Sequence, residues 1–363
     1  MKDKKSTKRQ HYVPQTYMKA WETEVSSKDE PEKVFKGVYV YEGNCVNGNG
    51  RNKDSVMWEP HIYTVSFEQS FIDRKCPLIR EDFTKQVFQL MKDRKPQPVY
   101  GKLGYSIIKT QRSVSKHFDD IYKWKFYYSD GNKARDQAIL NDIEALNSYV
   151  IEDGLDRQFE TNWNRVLEAF ITEMKDAKNA ILGKSERTIP TKVAEDLAKF
   201  VFMMYCRSPK FDGLGIYTWL QNDILAPVLG EYSEIMMDGV WHSELYGMIY
   251  KANGGHFNLL YKKALEECQM ILFEAYDGAG SFITSDNPVF MNKSSAVEIK
   301  NNTGLIFPLT PKYLIFVGRG LNGYNNVDYR FANRDVVRNF NQIINRNKIK
   351  TIISTENNLN KVL

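Results

Sequence analysis

A histidine near the N-terminus is the first residue whose type and spacing could serve chemistry. His11 stands in the string KRQHYVPQTYMKAW, four positions before Gln15. Pro14 restricts the backbone between them and removes a donor, so the segment could present the imidazole in a set direction for proton transfer or ligand binding. The alternative is that His11 and Tyr12 only pack against the first helix or cap it.

A second polar string ends a strand-like run near the C-terminal third of the chain. SFITSDNPVF, residues 281–290, places Asp286 and Asn287 just after apolar residues. Carboxylates at strand ends often face a ligand crevice in sheet proteins. Ser-Asp-Asn-Pro is also ordinary turn chemistry, because Asp and Asn side chains bond their own backbone. Both interpretations stay open from the sequence.

Arg207 lies on the otherwise apolar face of a helix predicted over residues 191–207, in line with Phe200 and Met204. A guanidinium is costly to bury alone, so it needs solvent at the helix end or a carboxylate acceptor. Asp286 and Glu59 are the candidate acceptors.

We expect His11, Arg207 and Asp286 to meet at one site, although they are far apart in sequence. Arg207 needs a partner, Asp286 follows a buried type of strand, and the segment around His11 is stiffened by proline. Glu59 and Tyr63 belong to a short string whose proline suggests an ordered turn.

A basic stripe is predicted on a helix near residues 330–345. Its members repeat every three or four positions: Arg330, Arg334, Arg338, Asn341 and Asn345. Such a stripe could lie along a phosphate backbone. A solvated helix face explains the same pattern.

The sequence also contains a nuclease-like pattern. Asp286 is followed, after a strand-like stretch, by Glu298 and Lys300 in Val-Glu-Ile-Lys. In restriction-type nucleases two carboxylates hold a magnesium ion and a lysine helps to activate water. The spacing is loose, and the expected helix before the first carboxylate is missing. A divalent metal such as magnesium is therefore compatible with the sequence, but no residue is assigned as a metal ligand.

Composition favours an ordinary globular protein of the cytoplasm. The chain has 363 residues, 42% of them hydrophobic, and a formal net charge of +5, of which the first ten residues contribute +4. No apolar run is long enough for a membrane helix, and no signal peptide follows the basic N-terminus. The four cysteines show no paired spacing, which argues against a disulfide framework or a thiolate zinc site. The basic arm could contact nucleic acid or simply be a solvated terminus.

The periodicity of apolar residues predicts an α+β fold. We expect a basic arm over residues 1–10 and a single α+β domain over 11–363, with a helical subregion at about 112–265 and a β-rich subregion at about 268–355. The predicted strands form a C-terminal mixed β-sheet, and an N-terminal strand at 33–42 is a candidate to join it. Helices are expected at 67–93, 112–127, 133–151, 155–182 and 191–207.

Several signatures are missing from the chain. It has no phosphate loop, no dinucleotide-binding glycine motif, no His-Glu-x-x-His and no Gly-x-Ser-x-Gly. Common nucleotide hydrolases, dinucleotide oxidoreductases, zinc proteases and serine hydrolases are thereby disfavoured.

Taken in order, the polar strings resemble a bacterial family catalogued as domain of unknown function 4238. The resemblance covers about residues 8–355 and rests mainly on two specific strings, His-Tyr-Val-Pro at 11–14 and Ser-Asp-Asn-Pro at 285–288. Weaker matches are Glu59 to Tyr63, Arg207 and Pro-Leu-Thr-Pro at 308–311. Where many members carry a second histidine, this chain has Lys-Arg-Gln before His11, which argues against a two-histidine metal site. The Glu-x-Lys string is not part of the resemblance.

Two function hypotheses follow. The first is a hydrolase acting on nucleic acid or a nucleotide, with His11 as acid or base, Asp286 as orienter or metal ligand and Arg207 as phosphate or carboxylate clamp. A role in phage defence is suggested only by analogy with other uncharacterised bacterial proteins. The substrate-binding residues would be Gln15, Glu59, Tyr63, Asn287, Arg330, Arg334 and Arg338. The second is a non-catalytic binding or sensor module, in which the same residues hold a ligand or an internal network.

Overall fold

A computed structural model describes residues 9–60, 62–63, 77–175, 185–209, 211, 216–250, 255–292, 304–320 and 323–363. In chain order, the strands of this part are β1 (Arg9–His11), β2 (Thr23–Ser26), β3 (Val34–Glu42), β4 (Asn49–Arg51), β5 (Trp58–Pro60), β6 (Val99–Leu103), β7 (Ser106–Ile108), β8 (Lys125–Tyr128), β9 (Ser185–Thr188), β10 (Cys268–Ala275), β11 (Thr284–Ser285), β12 (Phe290–Asn292), β13 (Gly304–Pro308), β14 (Tyr313–Arg319), β15 (Asn326–Ala332) and β16 (Thr351–Ser354).

The α-helices of the same part are α1 (Gln15–Met18), α2 (Pro77–Asp93), α3 (Gln111–His117), α4 (Asp136–Leu155), α5 (Trp163–Lys175), α6 (Thr191–Cys206), α7 (Ile216–Trp219), α8 (Ala226–Leu229), α9 (Tyr232–Tyr250), α10 (His256–Glu267) and α11 (Arg334–Asn347). Separate sheets and helices confirm the predicted α+β class. None of the helices described is long and apolar enough to cross a membrane.

The chain divides into two compact units. Unit 1 comprises residues 1–8, 61–155 and 214–253, and unit 2 comprises residues 9–60, 156–213 and 254–363. Within unit 1, the described strands β7, β6 and β8 form an antiparallel sheet in that order. Its core joins α2 to this sheet through buried apolar side chains, among them Phe83, Val87, Trp124, Phe126 and Ile139.

Unit 2 contains the mixed C-terminal sheet that the sequence predicts. Its order among the described strands is β12-β13-β14-β10-β15-β9, and β10 and β15 are parallel while the other pairs are antiparallel. β10 lies between β14 and β15, so both of its edges are paired. Its apolar run QMILF is therefore continuous rather than alternating, as in a strand buried on both faces.

The N-terminal strand β3 does not join the six-stranded sheet. It pairs with the C-terminal strand β16 in a second sheet. That sheet has the order β11-β16-β3-β2, with β4 also paired to β3. Helix α11 contributes to a core that takes residues from both sheets, including Phe273, Phe340, Ile344, Tyr41 and Ile352. Strands from the two ends of the sequence thus share one core.

Several predicted helix boundaries are wrong, among them the start at 155, since α5 begins at Trp163. The helix predicted at 112–127 ends as α3 at His117, and Lys125–Tyr128 form strand β8. The helix predicted from 330 begins at Arg334, because the Asn333 side chain accepts the Val336 N–H at 3.0 Å and caps it. Residues before the cap belong to β15, whose alternating sequence NVDYRFA was a strand signal that the sequence analysis missed.

Candidate functional site

The backbone of His11 is held by a short antiparallel ribbon in unit 2. Strand β1 pairs with β5, and His11 lies opposite Trp58. Tyr12 N–H then donates to the carbonyl of Met57 at 3.2 Å. Pro14 precedes α1 with φ −58°, the value that its ring imposes, so the chain turns at once into the helix. The predicted fixed position of the histidine segment therefore has a physical basis on both sides.

Arg207 clamps this segment from the end of α6. Its side chain is only 2% exposed, one terminal nitrogen donates to Glu160 Oε1 at 2.8 Å, and the other donates to the carbonyl of His11 at 2.6 Å. The charge of the guanidinium is thus met by a carboxylate, as its burial requires. Arg207 thus binds the backbone carbonyl of His11 and not its imidazole.

The carboxylate partner was predicted wrongly as Asp286 or Glu59. Glu160 fills that role from the end of a π-helical turn, Asp156–Glu160, that follows α4. A π-turn shifts the side chains after it around the helix axis, so regular helical spacing over 155–182 could not locate Glu160. Glu59 lies exposed on β5, where its Cα partner is Gln10.

The imidazole of His11 is partly buried and favours its neutral form. Gln15 Nε2 lies 3.3 Å from His11 Nε2 and 3.5 Å from Nδ1, so the amide sits beside the ring face rather than along one N–H direction. Burial lowers the pKa of His11 from its usual value of 6.5; Arg207 and Arg9 add to this, while Asp54 opposes it through a backbone hydrogen bond and its charge. At neutral pH the ring can accept a proton.

Asp286 is a buried structural acceptor. Its carboxylate, in a residue 1% exposed, receives the backbone N–H groups of Ile349 at 2.7 Å, Lys350 at 2.6 Å and Thr351 at 2.8 Å. Burial raises the pKa of the Asp286 carboxyl, and the three backbone donors act against that shift. Within the described residues no ion pair joins Asp286 to Arg207, because the carboxylate is directed into the turn before β16 instead.

Arg207 and Asp286 do not bond to each other, but the residues that follow them, Ser208 and Asn287, do. Ser208 Oγ donates to Asn287 Oδ1 at 3.0 Å, and Asn287 Nδ2 donates to the carbonyl of Asn347 at 3.0 Å. Asn287 therefore ties the end of α6 to the end of α11. Ser208 and Asn287 thus join the two strings, whereas the expected pair of Arg207 with Asp286 is not formed among the described residues.

The strings also meet through two buried aromatic side chains. Tyr17 Oη lies 2.7 Å from Thr284 Oγ1 and donates to the carbonyl of Pro308 at 2.8 Å. Trp21 Nε1 donates to the carbonyl of Phe282 at 2.9 Å. These bonds attach the segment after His11 to the strand before Asp286. Residues of both strings therefore have a structural role. The sequence analysis did not single out either aromatic residue.

Tyr63 belongs to unit 1, whereas the other proposed substrate-binding residues belong to unit 2. It is fully buried, and its ring centroid lies 5.7 Å from that of Trp241. Nearby, His242 Nε2 lies 2.9 Å from the carbonyl of Ile62. This environment makes Tyr63 a packing residue of its own unit.

The basic stripe is shorter than predicted. Arg330 lies on β15, where its Nε and one Nη donate to Asp328 Oδ2 at 2.8 and 2.6 Å. Arg334 and Arg338 lie on α11, and neither forms an ion pair with any residue of the described part of the chain. Arg338 Nε is buried without an acceptor there. Asn341 is buried and bonded to Ser281, Ile283 and Val362, so it is structural.

Over the ranges that the structure covers, no group of three or more His, Cys, Asp or Glu side chains is placed to hold a metal ion. Glu298 and Lys300, and residues 1–8 of the basic arm, lie outside those ranges. The nuclease-like arrangement with Asp286 therefore stays a prediction.

Comparisons with known proteins identify a family but no activity. The model of a family described as a protein of unknown function (DUF4238) matches residues 9–358. No curated protein and no solved structure matches the chain.

Proposed function

This chain belongs to the DUF4238 family, and we propose that it is a hydrolase that acts on nucleic acid or a nucleotide, with His11 as the acid or base. The observation that carries the proposal is the His11 environment. A partly buried imidazole with a lowered pKa is fixed through its own backbone by a buried arginine. A general base needs this combination of a fixed position and a neutral form near pH 7.

Arg207 is assigned a positioning role in this proposal. Its two terminal nitrogens hold Glu160 and the His11 carbonyl, and its side chain is 2% exposed. A phosphate clamp would instead present donors to the substrate. The arginine acts by keeping the histidine backbone in place.

Arg334 and Arg338 are the proposed phosphate contacts. Arg207 and Arg330 each pair with a carboxylate of the described chain, whereas Arg334 and Arg338 do not. Residues 330–350 carry six basic residues against one acidic residue. Two guanidinium groups that form no ion pair among the described residues, on a helix whose acidic residue is Asp335, are suited to the phosphates of a polynucleotide.

The phosphate contacts and His11 belong to one connected region of unit 2. From the last residue of α11 the bonds run from Asn347 to Asn287, from Asn287 to Ser208, and from the adjacent Arg207 to His11. A substrate on α11 would thus lie on the same framework as the proposed base. The suggested role in phage defence rests on analogy with other bacterial proteins and on no residue of this chain.

A cleavage assay tests the proposal. Labelled single-stranded and duplex oligonucleotides and free nucleotides are incubated with the wild type in the presence of Mg²⁺ or of a chelator. We expect cleavage that is lost in His11→Gln and retained in His117→Gln, a histidine of α3 in unit 1. Both variants should melt like the wild type. Cleavage that persists in His11→Gln would remove the histidine from the mechanism.

A non-catalytic binding module is the second candidate. It is favoured because the side chains of Arg207, Asp286 and Asn287 are all bonded to other groups of the protein. In that case the wild type would bind oligonucleotides without turnover under every condition, and His11→Gln would bind like the wild type.

A further inference from the structure

Two exposed aromatic rings are stacked on each other at one end of the six-stranded sheet. Tyr276, directly after β10, and Phe331, on the parallel strand β15, have ring centroids 4.7 Å apart and an interplanar angle of 7°. Tyr276 is 52% exposed and Phe331 is 39% exposed. The Tyr276 N–H donates to the carbonyl of Ala332 at 3.0 Å, so the backbone fixes their spacing.

A third aromatic ring packs against the pair. Tyr329 meets Phe331 edge to face at 5.2 Å and 86°. Its hydroxyl is in turn hydrogen-bonded to the buried carboxylate of Glu274, which Lys312 Nζ approaches to 3.3 Å. These contacts fix the orientation of the exposed rings before a ligand binds. Stacking of a ligand on them therefore costs little side-chain conformational entropy in the protein.

The charges around the pair are asymmetric. Asp277, next to Tyr276, is fully exposed, and Lys312 lies 3.5 Å from it. Arg334 follows Phe331 by three residues and forms no ion pair with a described residue. Arg338 comes one turn later. A polyanion that covers the rings is expected to direct its phosphates toward the two arginines and away from Asp277.

We propose that Tyr276 and Phe331 form a base-stacking subsite for single-stranded nucleic acid whose backbone runs along Arg334 and Arg338. The inference rests on the proposed function and deepens it by naming the strand state of the substrate. Bases in a duplex are stacked on each other and leave no face for the protein, whereas an unpaired base can stack on an exposed ring. The subsite is tolerant of base identity, because stacking reads the π-face and not the base edges.

Binding of a fluorescent single-stranded oligonucleotide and its duplex, measured by anisotropy at low salt, tests the proposal. Tyr276→Ala and Phe331→Ala should weaken single-strand binding by about 5- to 150-fold each and leave duplex binding nearly unchanged. Tyr276→Phe, which keeps the ring, and Tyr105→Ala, which removes a fully exposed tyrosine of unit 1, should bind like the wild type.

The outcomes separate this inference from the proposed function. If Arg334→Ala weakens binding while Tyr276→Ala and Phe331→Ala do not, the stacking subsite is overturned and nucleic-acid binding stands. Equal losses for single strand and duplex would overturn the preference for unpaired bases. A wild type that binds no oligonucleotide at low salt would overturn both.

Discussion

The guanidinium of Arg207 binds the carboxylate of Glu160 at 2.8 Å across 47 positions of sequence. Arg207 lies at the end of one helix and Glu160 at the end of a π-helical turn. Their pairing allows a charged side chain to be 2% exposed beside the carbonyl of His11.

Removal of this pair should destabilise the protein. We expect Arg207→Ala to lower the free energy of unfolding by about 3–5 kcal/mol, because the Glu160 carboxylate loses its buried partner. Glu160→Gln keeps an acceptor oxygen and should cost less. Unfolding in urea measures both. Lys33→Ala, which breaks an exposed ion pair with Glu30, should change little; a similar loss in that control would refute the assignment.

Acid should weaken the folded state through His11. Because its folded pKa lies below 6.5, the unfolded chain binds more protons between 6.5 and the folded value. Stability should therefore fall as the pH is lowered through that window and level off below it. His242 in unit 1 contributes in the same direction, since burial lowers its pKa.

Thermal melting of wild type, His11→Gln and His242→Gln from pH 8 to pH 5 measures this effect. The melting temperature of each variant should decrease less between pH 8 and pH 5 than that of the wild type. Parallel curves for wild type and His11→Gln would show that the His11 pKa is not lowered in the folded protein.

Asp286 should matter for folding rather than for turnover. Asp286→Ala leaves the N–H groups of Ile349, Lys350 and Thr351 without their acceptor, and we expect a loss of at least about 3 kcal/mol in unfolding free energy. Asp286→Asn retains one oxygen and should lose less. Chemical denaturation measures these losses. The reference variant is Asp277→Ala, which removes a fully exposed carboxylate. A variant Asp286→Ala as stable as that reference would contradict the structural role.

The salt dependence of oligonucleotide binding should show whether Arg334 and Arg338 contact phosphates. Each alanine substitution should reduce the slope of log K against log salt by about 1, since one phosphate contact is removed. Arg346→Ala is the matched control, because Arg346 is exposed on α11 but lies roughly 80–120° around the axis from both arginines. Anisotropy titrations at several salt levels give the slopes. Equal slopes for all variants would exclude these contacts.

The amino-acid sequence by itself determined the elements with strong local signals. Continuous apolar runs indicated β10, β13 and β14, and the helical spacing in 191–207 indicated α6, because burial imposes these periods on the chain. The need of Arg207 for a carboxylate also followed from the sequence, because a buried charge without a partner is too costly.

Tertiary structure alone decided which groups meet. Glu160 became the partner of Arg207 through a π-turn that leaves no periodic signal, and Asp286 met three backbone N–H groups that no side-chain pattern reveals. The stacked pair of Tyr276 and Phe331 depends on the parallel pairing of β10 with β15, 55 positions apart. Local sequence encodes conformation and burial, whereas these contacts depend on strand order and on the orientation of distant segments, which only the assembled core sets.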